Sequence, residues 1–231
     1  MISFKSVTKE FKLDDRTTIT PVDSVDLEID QGELIVIVGR SGTGKTTFLN
    51  LAAGLVRPTR GSVVVDGQDL STMADREISS LRSQKIGFVF QFPSLLPSLT
   101  IRENVRLPSI FANGAGHKAT SERAQELLGT LGLESKLDVY PRQLSAGEQK
   151  RVVIARSLFN EPRLILADEP TSDLDNHTEQ EVMDILRRIN SQGVTFLIVT
   201  HSLDLIAFAT RAFEMDNGKL KQIRSESNAR S

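Results

Sequence analysis

The sequence predicts an α/β fold: a largely parallel sheet with helices on both faces, an antiparallel β subdomain at the N-terminal end, and an α-helical lobe inserted in the middle. Three observations predict it. Short apolar runs alternate with amphipathic segments along most of the 231 residues, the pattern of strands and crossover helices. Four of those runs are unbroken, as strands buried on both faces are. From about Phe92 to Phe159, helical patterns and loops replace the strands.

In chain order, Ile2–Phe11 and Thr17–Ile29 alternate partly and read as antiparallel strands. Leu34–Val38 (LIVIV) is the first buried strand and Lys45–Ala53 the first helix. Val63–Asp66 ends in Asp-Gly, a hairpin signal. Asp75–Ser83 is helical and Ile86–Phe90 (IGFVF) is the second buried strand. Ser121–Leu131 has the spacing of an amphipathic helix capped by Thr120 or Ser121, and Ala146–Phe159 is a longer helix. Leu164–Ala167 (LILA) and Thr195–Val199 (TFLIV) are the remaining buried strands, with the helix Thr178–Ile189 between them. Phe213–Met215 and Leu220–Ile223 flank Asn217-Gly218 and are expected to be antiparallel strands. Residues 225–231 are polar and expected to fray. The expected division is a core of residues 1–91 and 160–224 with a helical subdomain of residues 92–159.

Composition narrows the function. Hydrophobic residues are 39% and charged residues 25%, ordinary for a globular chain. The net charge of −2, from 28 basic and 30 acidic side chains, argues against a basic nucleic-acid sleeve and an acidic tail. With no cysteine, disulfide frameworks, cysteine-ligated metals and thiol nucleophiles are excluded. The opening MISFKSVTKEF lacks the apolar run of a signal peptide. The longest uncharged stretch, Ile86–Ile101, is too short and too polar to span a bilayer. A membrane role therefore has to run through a partner.

The residues Gly39, Arg40, Ser41, Gly42, Thr43, Gly44, Lys45 and Thr46 fit G-x-x-x-x-G-K-[ST], between a strand and a helix. Small residues let successive backbone N–H groups curl around phosphate, and the helix N-terminus adds positive potential. Lys45 can reach the β- and γ-phosphates, Thr46 can offer its hydroxyl to Mg²⁺, and Thr47 is placed to touch the α-phosphate. Downstream, Leu164-Ile-Leu-Ala ends in Asp168 and Glu169. At the C-terminal end of a neighbouring strand, Asp168 can anchor Mg²⁺ and Glu169 can orient or deprotonate water. An acidic turn capping the next helix is the alternative. No N-K-x-D guanine-reading motif is found, and the acid pair favours hydrolysis over transfer to a small acceptor.

Leu144-Ser-Ala-Gly-Glu148, followed by Gln-Lys-Arg151 and lying ahead of LILADE, resembles the signature motif of ATP-binding cassette (ABC) ATPases. The resemblance covers nearly the whole chain. It implies a RecA-like P-loop NTPase core and the cofactors ATP and Mg²⁺. By the same resemblance Gly39–Thr47 is Walker A, and Asp168 and Glu169 are Walker B and the catalytic acid. It further implies that Phe11 stacks on adenine, Gln91 contacts Mg²⁺ from the Q-loop, and Ser145 and Gly147 reach the γ-phosphate on the opposite subunit. Asp175 closes the D-loop SDLD, and His201 senses the γ-phosphate.

Some of these residues have a plainer reading: Phe11 as core, Gln91 as a strand-end cap, His201 as structural, Ser145 as the cap of the following helix. His117 and His177, in polar surroundings, read as exposed. The sequence departs from the usual LSGGQ at Ala146 and Glu148; alanine removes easy access to positive φ. The stretches IGFVFQFPSLLPSLTIRENVRLP and LADEPTSDLD are similar to those of the macrolide-exporter and lipoprotein-release class. That likeness implies a head-to-tail homodimer at the cytoplasmic face of the membrane, driving a separate permease that exports a hydrophobic or amphiphilic substrate. The alternative is a mechanical ATPase regulating the cell envelope without transport. A nucleic-acid partner is not expected. Phe92, Leu95, Leu96 and Leu99 are either a permease groove or packing of the helical lobe.

Overall fold

The computed structural model describes residues 1–14, 16–111 and 121–225. His117, the Thr120 cap and the tail beyond Ser225 lie outside the described residues. The elements run β1 (Ile2–Lys12), β2 (Thr18–Ile29), β3 (Leu34–Val38), α1 (Lys45–Ala52), β4 (Arg60–Val65), β5 (Gln68–Asp69), α2 (Asp75–Lys85), β6 (Ile86–Val89), α3 (Ile101–Arg106), α4 (Pro108–Phe111), α5 (Ser121–Thr130), α6 (Ala146–Leu158), β7 (Leu164–Asp168), α7 (Asn176–Asn190), β8 (Thr195–Thr200), β9 (Arg211–Asp216) and β10 (Lys219–Ser225).

Two sheets organise these elements. A four-stranded sheet in the order β2-β1-β4-β5 is antiparallel throughout. Its β4–β5 hairpin turns at Asp66 (φ 49°) and Gly67 (φ 78°), the two positive φ values a twist-matched two-residue turn needs. The six-stranded sheet has the order β10-β9-β3-β8-β7-β6. Its strands β9, β3, β8, β7 and β6 are parallel and β10 is antiparallel. The Asn217-Gly218 signal thus identifies the β9–β10 hairpin correctly. β9 itself, expected as antiparallel only, joins the parallel sheet beside β3, because after β8 the chain crosses back through a 3-10 turn at Asp204–Phe208.

Every residue of β3 is buried, yet the strand still alternates between faces. Leu34, Val36 and Val38 pack with Ile165, Ala167, Phe196 and Ile198 in one core, which α3, α5, α6 and α7 cover. Ile35 and Ile37 join Leu164, Leu166, Leu197 and Val199 in a second core, closed by α1 and the antiparallel sheet. The unbroken LIVIV run is therefore the signature of a strand sandwiched twice. Between β6 and β7 the described residues hold helices and turns and no strand. There α5 buries Ala124, Leu127 and Leu128, and α3 starts at a capping box between Thr100 and Glu103. No helix among the described residues is long and apolar enough to cross a membrane.

Candidate active site

The loop after β3 is shaped by its glycines. Gly44 sits at φ +106° immediately before α1, and a Cβ there would overlap the Pro21 carbonyl. Gly42, at φ +80°, has open space where a Cβ would be. The loop is therefore held from behind and open in front. Lys45 is buried, and its Nζ donates to the carbonyls of Gly39 (2.7 Å) and Arg40 (3.0 Å). The Thr43 hydroxyl turns back to donate to Arg40 O at 2.9 Å.

The acids stand at the ends of neighbouring strands. Asp168 closes β7 and shares a side-chain hydrogen bond with Thr46. Burial raises its pKa above the usual carboxylate range, and the adjacent Glu169 charge adds to that; Thr46 and Lys45 oppose it. Glu169 adopts φ 47°, left-handed backbone that is rare outside glycine. Its N–H donates to Val199 O (2.9 Å), and its Oε2 accepts from the Thr200 hydroxyl (2.9 Å) and the His201 N–H (3.2 Å). The His201 Nδ1 lies 2.9 Å from the same oxygen. A carboxylate can only accept, so Nδ1 carries the proton in this contact and Nε2 is left for a ligand in the cleft.

These groups line one cleft of about 710 Å³ at the C-terminal ends of the parallel strands, the place where open α/β sheets bind ligands. Arg40, Ser41, Gly42, Gly44, Lys45, Thr46 and Thr47 form its floor. Gln91, Asp168, Glu169 and His201 form one wall, and Phe11, Ile19 and Pro21 the other. Gly39 and Thr43 support the loop from outside the lining. Phe11 is half-buried and belongs to neither core, so the plain core reading of it fails. The donor set suits a magnesium nucleotide. Among the described residues no group of three or more His, Cys, Asp or Glu could hold a metal alone. A hydroxyl beside one carboxylate, with phosphates and water completing the shell, is how Mg²⁺ is usually held.

Ser145, Gly147 and Asp175 are not in this cleft. Ser145 caps α6 and is exposed: its side chain accepts from Glu148 N (3.3 Å), and the Glu148 carboxylate accepts from Ser145 N (2.8 Å). A Cβ at Gly147 would come within 2.5 Å of Thr178 Cγ2, which explains glycine at that position. Asp175 caps α7, accepting from the N–H groups of His177 and Thr178 at 3.0 Å each. Both signature departures resolve here. Ala146 is the first helical residue, not a positive-φ position, so alanine costs nothing there. Glu148 completes the capping box. His177 is exposed, as expected, 3.5 Å from Glu181.

Sequence reasoning missed Thr200 and Lys150, which both contact Glu169. A signal for Lys150 existed: a cation three residues after buried Gly147 and four before buried Ile154, on the apolar face of α6.

Residues 22–172 match the family model described as ABC transporter. The chain belongs to the ABC transporter family. A lipoprotein-releasing system ATP-binding protein, LolD 2 of Chlorobium chlorochromatii, is 41% identical over 97% of this chain and 95% of its own length. The macrolide export ATP-binding/permease protein MacB of Vibrio parahaemolyticus is 40% identical over 95% of this chain, but this chain spans only 33% of it. A solved dimeric ATP-binding cassette in a post-hydrolysis state, bound to ADP and phosphate, superimposes with a TM-score of 0.88 at 39% identity, covering 97% of this chain and 98% of that one. This ABC subunit has the RecA-like cassette fold with an N-terminal β subdomain and a helical insertion, and it binds and hydrolyses ATP.

Proposed function

We propose that two copies of this chain pair head to tail around two Mg-ATP and drive a separate membrane permease of the export type from the cytoplasmic face. The carrying observation is a division of parts. Phosphate loop, acids, Gln91 and His201 converge in one cleft, while Ser145 and Gly147 lie outside it at the start of α6. A second copy facing the cleft supplies a helix N-terminus aimed at phosphate, itself an anion site. The dimeric relative bound to ADP and phosphate supports this pairing. Asp175 caps the helix whose Thr178 packs on Gly147, and so belongs to the same contact face.

In this reading, Phe11 stacks on adenine and Lys45 and the loop N–H groups hold the phosphates. Thr46 and Asp168, joined by Gln91, would hold Mg²⁺, which would neutralise charge on the transferred phosphoryl group. Glu169 orients the attacking water and takes its proton, while His201 fixes that carboxylate and faces the γ-phosphate. Residues 92–159 move as a helical subdomain against the core of residues 1–91 and 160–224. In Glu169→Gln, ATP holds the dimer together and phosphate release nearly stops. Light scattering that finds only monomer with ATP refutes the pairing, and parent-rate release removes Glu169 from its role.

A second cleft, of about 670 Å³, supports permease docking. Leu55, Phe88, Phe90 and Leu107 give it an apolar surface, Arg76, Arg82 and Arg156 also line it, and among the described residues no carboxylate does. It suits a short amphipathic permease helix carrying acidic residues. Of the four residues read as either groove or lobe packing, Leu95 packs against the helical core, Phe92 and Leu96 are exposed, Leu99 is half-buried, and none of them lines the cleft. Leu55→Glu and Phe90→Glu should each lose the permease on co-purification from membranes, and retention by both refutes the assignment. Export of a hydrophobic or amphiphilic substrate rests on likeness to the MacB and LolD proteins and is tested by flux into vesicles carrying the permease.

A further inference from the structure

Lys150 stands in the second turn of α6 and is 4% exposed. Its Nζ donates to two backbone carbonyls, that of Gln91 and that of Glu169 (3.4 Å). These carbonyls belong to segments leaving adjacent parallel strands, β6 and β7, and the side chains of both residues line the nucleotide cleft. One ammonium group therefore spans the wall of the site from behind. Both of these hydrogen bonds go to carbonyls; burial works against its charge, and the charges of Asp173 and Glu169 favour it. Taking an ammonium out of water is costly, and an apolar side chain would fill the position more cheaply. What such a side chain lacks is donors for two carbonyls that would otherwise be left unpaired.

A second cation on the same helix acts on the same segment. Arg156 donates to Ser94 O (2.9 Å) and Pro93 O (3.0 Å). The segment from Gln91 to Ser94 is thus held to α6 through its backbone at three residues. The other end of α6 is the exposed Ser145 cap, about 7.5 Å up the axis from Lys150 at 1.5 Å per residue. A rigid helix with one end on the surface offered to a second copy and its flank on the backbone of Gln91 and Glu169 transmits displacement directly.

We infer that Lys150 is a positioning residue for hydrolysis, fixing the separation of Gln91 and Glu169 and coupling both to the start of α6. The inference rests on the proposed role of Glu169. The phosphate loop touches neither carbonyl, so turnover changes without a matching change in ATP binding.

The test measures kcat and KM for ATP, and the Mg²⁺ concentration for half-maximal rate, in the parent, Lys150→Met, Lys150→Gln and Glu169→Gln. Lys150→Met should lower kcat at least tenfold, keep KM for ATP within twofold, and raise the Mg²⁺ requirement, because Gln91 is no longer held. A kcat within twofold of the parent overturns the role. A parallel loss of kcat and ATP affinity also overturns it, since that marks general disruption of the fold. Should Lys150→Met not fold, Lys150→Gln decides the matter: its neutral amide offers two N–H donors on a side chain one atom shorter, too short to keep both carbonyls at their present separation. A threefold or greater fall in kcat at unchanged KM supports the inference, and parent kinetics refutes it. Glu169→Gln separates the two levels. Its turnover at the parent rate sinks the reading of Glu169, whereas a parent-like Lys150→Met beside an inactive Glu169→Gln sinks only the positioning role.

Discussion

Replacing Glu148 isolates the energy that holds the start of α6 in place. Its carboxylate accepts from Ser145 N at 2.8 Å and lies 3.6 Å from Lys136 Nζ. Glu148→Ala removes one arm of a capping box, about 1 kcal/mol, a negative charge at a helix N-terminus, about 0.5 kcal/mol, and a partly exposed ion pair, about 0.5 kcal/mol. The sum is about 2 kcal/mol, which for a chain of this size lowers Tm by about 4–8 °C. Glu148→Gln keeps an acceptor but loses the charge, and with it both the helix-terminus term and the ion pair, so its drop is about half of that. The pH dependence has a definite sign. The hydrogen bond from Ser145 N–H holds the Glu148 pKa below the ordinary range, with the Lys136 charge helping. A depressed folded-state pKa stabilises fully above the unfolded value, about 4.3, and the gain is lost as pH falls through the folded value. The gap between parent and Glu148→Gln therefore stays constant from pH 7 to about pH 5 and narrows below that. Calorimetry across this range is the assay. A Glu148→Ala Tm within about 1 °C of the parent, or a gap that already closes between pH 7 and 6, refutes the argument.

Lys45→Ala should weaken ATP binding at least tenfold by isothermal titration, since a charged donor is lost, typically about 1.5–3 kcal/mol. Gly44→Ala meets both φ +106° and the Pro21 carbonyl; it should abolish nucleotide binding and lower Tm measurably. His201→Ala removes the 2.9 Å partner of the Glu169 carboxylate and should lower kcat by about 10²-fold, with ATP affinity retained in a direct binding assay.

What was legible in the sequence was local. Gly39–Thr47 carries its own geometry, because the glycines, the lysine and the helix start are contiguous, and LILADE is a strand with its acids attached. What was not legible depends on distant pairing. Nothing near Phe213 says that β9 runs parallel beside β3, because that contact joins residues far apart in sequence. The apolar residues after Gln91 suggest a groove, yet the apolar cleft in the structure is lined by Leu55, Phe88 and Leu107, which lie far apart in sequence. Ala146 and Glu148 look like defects against the usual LSGGQ. In the folded chain they are an ordinary first helical residue and half of a cap. Lys150 could be noticed as out of place but not interpreted until both of its carbonyl partners were located.

The floor of the nucleotide loop is completed by residues from the far end of the chain. A Cβ at Gly39 would lie 2.5 Å from the carbonyl of Met215, and the Met215 side chain reaches Gly44. The turn that follows accepts a hydrogen bond from Asp23, with Gly218 O 2.9 Å from its N–H. A nascent polypeptide still lacking residues 211–225 has its Walker sequence already made but no backing to press it into shape. Competence to engage nucleotide should therefore arrive late in synthesis, and shortening the chain from the C-terminal end into β9 should disarm a motif encoded some 170 residues upstream.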